Sequence, residues 1–219
     1  MKMLDVPQSG SQAGKTSSHN RYGQYQRTRA IPVNPSSTAQ GTMRARLAAA
    51  SASWRALTDL LRAGWEGLAL QMSRSDALGQ AYNLNGFGAF VSVNQNLANA
   101  SLAAVTAAPA LVTPPAILTA TLTGTAATLS LAYTVTPLGA GEKLMVYASP
   151  QRSAGRSFEG DLRLVHVSAA AAASPANIFS AYAARFGTPV LGNKVFVAAH
   201  TAVSGFRSGP ALTSAVISA

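Results

Sequence analysis

The chain has 219 residues, 17 Lys and Arg against 7 Asp and Glu for a net charge of +10, and no cysteine. That length suits one or two domains with a true core, and the missing thiols exclude a disulfide framework, a thiolate metal site and a cysteine nucleophile. Charged residues are only 11% of the chain, against about a quarter in ordinary globular proteins, a composition that fits a surface largely covered by neighbours.

Residues 1–38 consist mainly of Ser, Gly, Gln, Asn, Thr, Arg and Pro and hold few large apolar side chains. The expectation is an extended basic arm that builds no core and takes its shape from another molecule's surface. Pro32 and Pro35 forbid a helix and favour an extended backbone; fully stretched, the segment reaches on the order of 100 Å. Residues 1–58 carry eight cations against Asp5 alone, so the positive balance belongs to the front of the chain. Tyr22, Tyr25 and Ile31 interleave with Arg21, Arg27 and Arg29, a mixture that suits ordering on contact, because chains that stay disordered are poor in aromatics. Arg-rich segments bind phosphate or carboxylate bidentately, which makes an acidic protein surface or nucleic acid the natural partner.

Within this arm "SGSQAGKTSS" ends in Gly14-Lys15-Thr16, the close of a phosphate-binding loop. That loop needs G-x-x-x-x-G-K-[ST] between a buried strand and a helix. Here Ser9 stands where the first glycine belongs, and the flanking sequence has no apolar period. An NTPase is therefore not expected.

From Thr38 a helical period begins, with Met43, Leu47, Ala50 and Trp54 on one face. Thr58 caps a second helix with Asp59 in its first turn, and Leu61, Trp65, Leu68 and Met72 repeat the spacing. The two pack as a hairpin with Trp54 and Trp65 as its core. "SRSDALGQAYNLNG" is a loop. A third helix follows, with Phe87, Phe90, Val91, Asn94 and Leu97 on one face; a strand over 87–93 is the alternative, and Asn94 and Asn96 belong to helix surface or a cap. The helical region thus covers 39–106. Pro109, Pro114 and Pro115 make 107–116 a semi-rigid linker and the expected domain boundary.

Beyond it the period becomes two. Ile117 to Pro137, with a turn near Gly124, then "EKLMVYASP", "LRLVHVS", "NKVFVAAHTAV" and "GPALTSAVISA", describe strands of a β-sandwich over 117–219. One helical insertion starts with Ser174 as N-cap and Pro175 at its first position. The fold class is α+β in segregated domains: extended arm, small α-helical hairpin region, and an immunoglobulin or fibronectin-III-like sandwich.

Catalysis requires convergent titratable groups. His19, His166 and His200 are scattered, the last two inside strands. Of the carboxylates only Glu159 and Asp161 sit as a pair, in what reads as a solvated turn. The motifs G-x-S-x-G, H-E-x-x-H and G-x-G-x-x-G are absent. Neither an enzyme, a cofactor nor a metal is expected. No apolar signal-type segment opens the sequence and no uninterrupted apolar stretch of about 18 residues occurs, so secretion and membrane insertion are not expected either.

The order Gly14, Lys15, Asn20, Arg21, Gly23, Tyr25, Asn34, Pro35, Gln40, Arg44 resembles the N-terminal signature G-K, N-R-x-G-x-Y, N-P-x-T-x-x-Q and Arg of a family of small proteins of uncharacterised function. These are encoded among phage and prophage structural genes and often end in a fibronectin-III-like domain. Ser37 stands where that family usually has Thr, unless Thr38 takes its place. The resemblance spans about half the chain. It implies a virion component, assembled in the host cytoplasm: capsid decoration or cement, vertex, connector or tail. It implies nothing about catalysis. The arm residues expected to meet capsid or tail subunits, or further copies in a homo-oligomer, are Lys15, Arg21, Tyr22, Tyr25, Arg27, Arg29, Arg44 and Arg46. The alternative is a nucleic-acid-binding protein whose arm tracks phosphates, including packaged nucleic acid, with Tyr22, Tyr25 or Trp54 stacking on bases. A glycan- or receptor-binding sandwich is compatible with the first reading.

Overall fold

Asn20-Arg21-Tyr22-Gly23 carries turn chemistry: an amide able to accept from a backbone N–H two residues on, and a glycine free to take positive φ. In the computed structural model, which describes residues 9–31, 33–76, 78–134 and 137–219, both features operate. The Tyr22 N–H donates to Asn20 Oδ1 at 2.9 Å, and Gly23 has φ +111°. The turn links the second and third strands of an antiparallel sheet, β1 (Gly10–Gln12), β2 (Lys15–Asn20) and β3 (Gly23–Thr28), in that order. The β2–β3 ladder runs from Lys15↔Thr28 to Asn20↔Gly23.

The expectation of an arm without structure of its own is therefore corrected over residues 10–28. Composition reports on side-chain burial, whereas backbone pairing is set by turns. The sheet has no core: none of residues 9–31 and 33–44 is buried. Pro32, Val135 and Thr136 lie outside the described residues, as does Asp5.

The chain forms two compact units, Met1–Arg44 and Ala45–Ala219, and the division falls within α1 (Thr38–Ala56). Ser37 and Gln40 start this helix as a capping box: the Ser37 N–H donates to Gln40 Oε1 at 3.3 Å and the Gln40 N–H to Ser37 Oγ at 3.4 Å. Of the face read from the sequence, Ala50 and Trp54 pack against the helical core, while Met43 and Leu47 stay half exposed.

In the second unit, Thr58 caps α2 (Asp59–Gln71), accepting from the Leu61 N–H. Where a loop was expected, β4 (Ser73–Ser75) and β5 (Ala81–Asn83) pair as a short hairpin. Asp76 organises its turn by accepting from the N–H groups of Leu78 and Gln80. Asn85 caps α3 (Gly86–Asn99), a helix through 87–93 and not the alternative strand. Trp65 is fully buried with its ring edge on Phe90 at 5.2 Å, and Trp54 lies 5.6 Å from the same ring. Both tryptophans thus belong to a hydrophobic cluster with Leu68, Val93 and Leu97.

The C-terminal strands are β6 (Thr119–Gly124), β7 (Leu129–Thr134), β8 (Lys143–Ala148), β9 (Arg152–Ser153), β10 (Arg163–Val167) and β11 (Ala176–Asn177). After α4 (Phe179–Phe186) come β12 (Asn193–Val203), β13 (Phe206–Arg207) and β14 (Ala211–Val216). One antiparallel sheet has the order β11-β7-β6; the other is built on the long β12, flanked by β8, which carries β10, and by β13, β14 and β9. Alternation does the sorting: Leu129, Leu131 and Tyr133 of β7 are buried and meet Leu144, Val146, Val195 and Val197 in one core. Together the described residues make a mixed α+β fold.

Two expectations need correction here. The helix α4 begins at Phe179, not at Ser174 and Pro175. Ser174 instead accepts from the Tyr133 N–H at 2.9 Å, and Ala176–Asn177 pairs with β7, because Ala176 and Ile178 are wanted in the core. Nor does the Pro-rich stretch 107–116 separate units. The segment leading into it is clamped by side chains: Asn94 accepts from the Val105 N–H at 2.8 Å and donates to its carbonyl at 3.2 Å, while Trp65 Nε1 donates to the Thr106 carbonyl at 2.7 Å. At the far end the Thr201 hydroxyl donates to the Pro115 carbonyl. Phe206 of β13 completes the helical core, and Asn96 donates to the Gly205 carbonyl at 2.9 Å. Proline removes donors but leaves carbonyls, so a proline-rich strap can be held along a surface as readily as it can span a gap.

Candidate partner-binding surface

Pairing register assigns the sheet of the first unit two faces. Thr16↔Arg27 and Ser18↔Tyr25 put Tyr25 and Arg27 on one face, where Ser11 also joins Thr16 through a 2.9 Å hydroxyl contact. Lys15↔Thr28 and Ser17↔Gln26 occupy the other, where the Gln26 amide donates to Ser17 Oγ. Arg21 and Tyr22 form the tip of the β2–β3 turn: the guanidinium lies 4.6 Å from the ring centroid and also donates to the phenol oxygen. Tyr22 is 63% exposed. Arg29 leaves the sheet with its N–H on the Gly14 carbonyl at 2.9 Å. Six of the eight expected arm residues therefore decorate one small sheet, distributed over two faces, a tip and an exit.

The other two do not join them. Arg44 donates to Asn34 Oδ1 at 3.2 Å, which ties the start of α1 to the segment before it. Arg46 belongs to the second unit and donates to Asn99 Oδ1 at 2.9 Å. Each thus holds a neighbouring amide.

Residues 9–44 carry Lys15, Arg21, Arg27, Arg29 and Arg44 and no acidic side chain. The ion pairs among the described residues, Arg62–Asp59 and Arg152–Asp161, both lie in the second unit. Among the described residues of its own unit, no carboxylate compensates the positive charge of the sheet. Gly14-Lys15-Thr16 is the turn and first residues of a strand hairpin, and no helix opens there. A phosphate-wrapping loop is not formed.

Much of the N-terminal signature has a local structural role. Asn20 and Gly23 make the turn. Asn34 accepts from the Ser36 N–H and from Arg44. Gln40 completes the cap with Ser37, whose hydroxyl does there what a threonine would do. The S-x-x-Q spacing and the asparagines two residues before a backbone donor are the sequence signals of these local roles.

Elsewhere several titratable groups have structural partners. Asp161 pairs with Arg152 at 2.5 Å. His200 Nδ1 lies 2.8 Å from the Ser208 carbonyl, and burial holds this ring's pKa below its ordinary 6.5, as it does for His166. Burial raises Tyr182 to about 12, its hydroxyl donating to the Ser149 carbonyl. Among the described residues no group of three or more His, Asp or Glu side chains is placed to hold a metal, and no helix is long and apolar enough to cross a membrane. Set against known protein families, curated proteins and solved structures, the chain matches none of them.

Proposed function

We propose that the chain is a structural protein of a phage virion, a capsid decoration, vertex, connector or tail component, that assembles through its basic N-terminal sheet. The observation that carries the assembly part is a three-stranded sheet with no buried residue and no internal carboxylate. A sheet of that size without an apolar face is marginal alone. Contact with a neighbour supplies the missing packing. Lys15, Arg21, Arg27 and Arg29 pair with its carboxylates, and Tyr22 and Tyr25 fill its grooves. Arg44 and Arg46 act mainly by holding Asn34 and Asn99. The virion setting rests on the resemblance of Gly14 to Arg44 to phage-encoded proteins. For the C-terminal strands we propose an immunoglobulin or fibronectin-III-like sandwich, supported by the single core to which β6 and β7 contribute from one sheet and β8 and β12 from the other.

Deleting residues 1–38 tests this reading. The truncated chain is expected to keep the circular dichroism and unfolding midpoint of the second unit yet to be missing from purified phage particles that contain the full chain. Full chain absent from particles, or truncated chain present at equal abundance, overturns the proposal.

A second reading has its own observation: an exposed tyrosine beside an arginine at a hairpin tip, on an acid-free sheet, is also suited to a nucleic-acid strand. Salt separates the two. Nucleic-acid binding through about five cations weakens by orders of magnitude between low and moderate ionic strength, whereas an interlocked assembly persists.

A further inference from the structure

The end of α2, the β4 strand, α3, the proline-rich strap and the β12–β13 turn, all within the second unit, border an open cleft of about 360 Å³. Two arginines from distant parts of the sequence line it, Arg74 of β4 and Arg207 of β13, and no Asp or Glu does. A neutral hydroxyl orients each: Arg74 Nη2 donates to Ser92 Oγ at 2.6 Å, and Arg207 Nη1 donates to Tyr147 Oη at 3.2 Å. A guanidinium has five N–H donors, so both retain donors and their full charge. Neither takes part in an ion pair among the described residues. Asn96, also in the wall, uses Nδ2 on the Gly205 carbonyl and keeps Oδ1. The strap contributes Leu111 and Val112, which are 44% and 38% exposed.

Two arginines lining one cleft with no carboxylate in its wall favour an anion, and guanidinium geometry matches carboxylate or phosphate. The apolar wall decides between them, since a bare phosphate gains nothing from Leu111 and Val112, whereas a carboxylate on a hydrocarbon body covers both. The volume lies at the lower end of small-ligand sites. We propose that this cleft binds a carboxylate carried on a short apolar body, either a free organic acid or an acidic side chain presented by a peptide. The site is independent of the N-terminal sheet.

Titration of the isotope-labelled full chain by NMR tests it, with hexanoate and the blocked tripeptide Ac-Leu-Glu-Leu-NH2 as probes of the two sources. Hexanamide, Ac-Leu-Gln-Leu-NH2 and inorganic phosphate serve as comparisons. Saturable shifts of the Ser73, Ser92 and Gly205 amides are expected with at least one carboxylate probe, and the tighter probe names the source. Arg74→Gln and Arg207→Gln should each weaken that binding about tenfold, with Lys at either position costing less. Both side chains are exposed, so the folded spectrum should persist in these variants. The proposal is overturned if neither carboxylate shifts these amides, if the neutral analogues or phosphate bind as tightly, or if the Gln variants bind like the parent.

Discussion

The β1–β3 sheet and the sheet built on β12 obey the same antiparallel geometry and differ in nearly everything else. In the first, every described residue keeps contact with solvent and the ladder is set by two tight turns. In the second, Val195 to Ala202 of β12 are buried without interruption between neighbouring strands and packed side chains. One sheet is held by backbone hydrogen bonds, worth about 1 kcal/mol net apiece; the other adds burial, worth roughly 1.5–3 kcal/mol for each large apolar side chain. The difference teaches where each region's stability resides, and so which of them is able to stand alone.

Core substitution should give the largest effect. Trp65→Ala empties the centre of the helical cluster and removes the bond to Thr106; a loss of about 3–5 kcal/mol is expected in urea unfolding of the second unit. A loss under 1 kcal/mol would mean that this cluster does not support the unit as described.

Next comes the junction between helices and sheet. Gly205 has φ +84°, and a Cβ there would lie 2.5 Å from Val93 Cγ1 and 2.9 Å from the Val93 carbonyl oxygen. Gly205→Ala should cost about 2–3 kcal/mol through strain and overpacking. If the midpoint is unmoved, the β12–β13 turn is not seated on α3.

A smaller effect is expected from pH. Burial is the main cause of the lowered His200 pKa, reinforced by Arg207 and opposed by the carbonyls of Ser208 and Gly209; burial alone lowers His166. The unfolded chain then binds protons first on acidification. The stability of the second unit should be whole above the ordinary value of 6.5 and should fall as pH drops through the lowered folded values. His200→Gln should flatten that slope, and an unchanged slope would exclude His200 as its source.

The smallest effect belongs to the first unit. Tyr25→Ser should move the unfolding midpoint of the second unit by less than about 0.5 kcal/mol. A shift above 1 kcal/mol would break the contrast between the regions by showing that the N-terminal sheet contributes to the fold of the rest.

Side chains with a strictly local task were legible in advance. Thr58 capped α2 as its position indicated, Trp54 and Trp65 both reached the ring of Phe90 from the helical period, and Leu129, Leu131 and Tyr133 alternated into a core. The N-terminal ladder was legible in part, since Asn20 and Gly23 announce a turn, but polar composition masked it. The Ala176–Asn177 strand and the β4–β5 hairpin were missed because two or three residues carry too little period to see.

The chain by itself determined its periods, the cap at Thr58 and the concentration of positive charge before residue 58. Those follow from side-chain chemistry and spacing over a few residues, which no later packing can alter. Only the tertiary structure decided that 107–116 is a strap and not a divider, that Phe206 belongs among the helices, and that Arg74 and Arg207 share a cleft although they stand 133 positions apart in the sequence. Those relations depend on which surfaces meet, and a contact between distant segments is fixed by the shape and burial of the whole unit, not by any short run of residues.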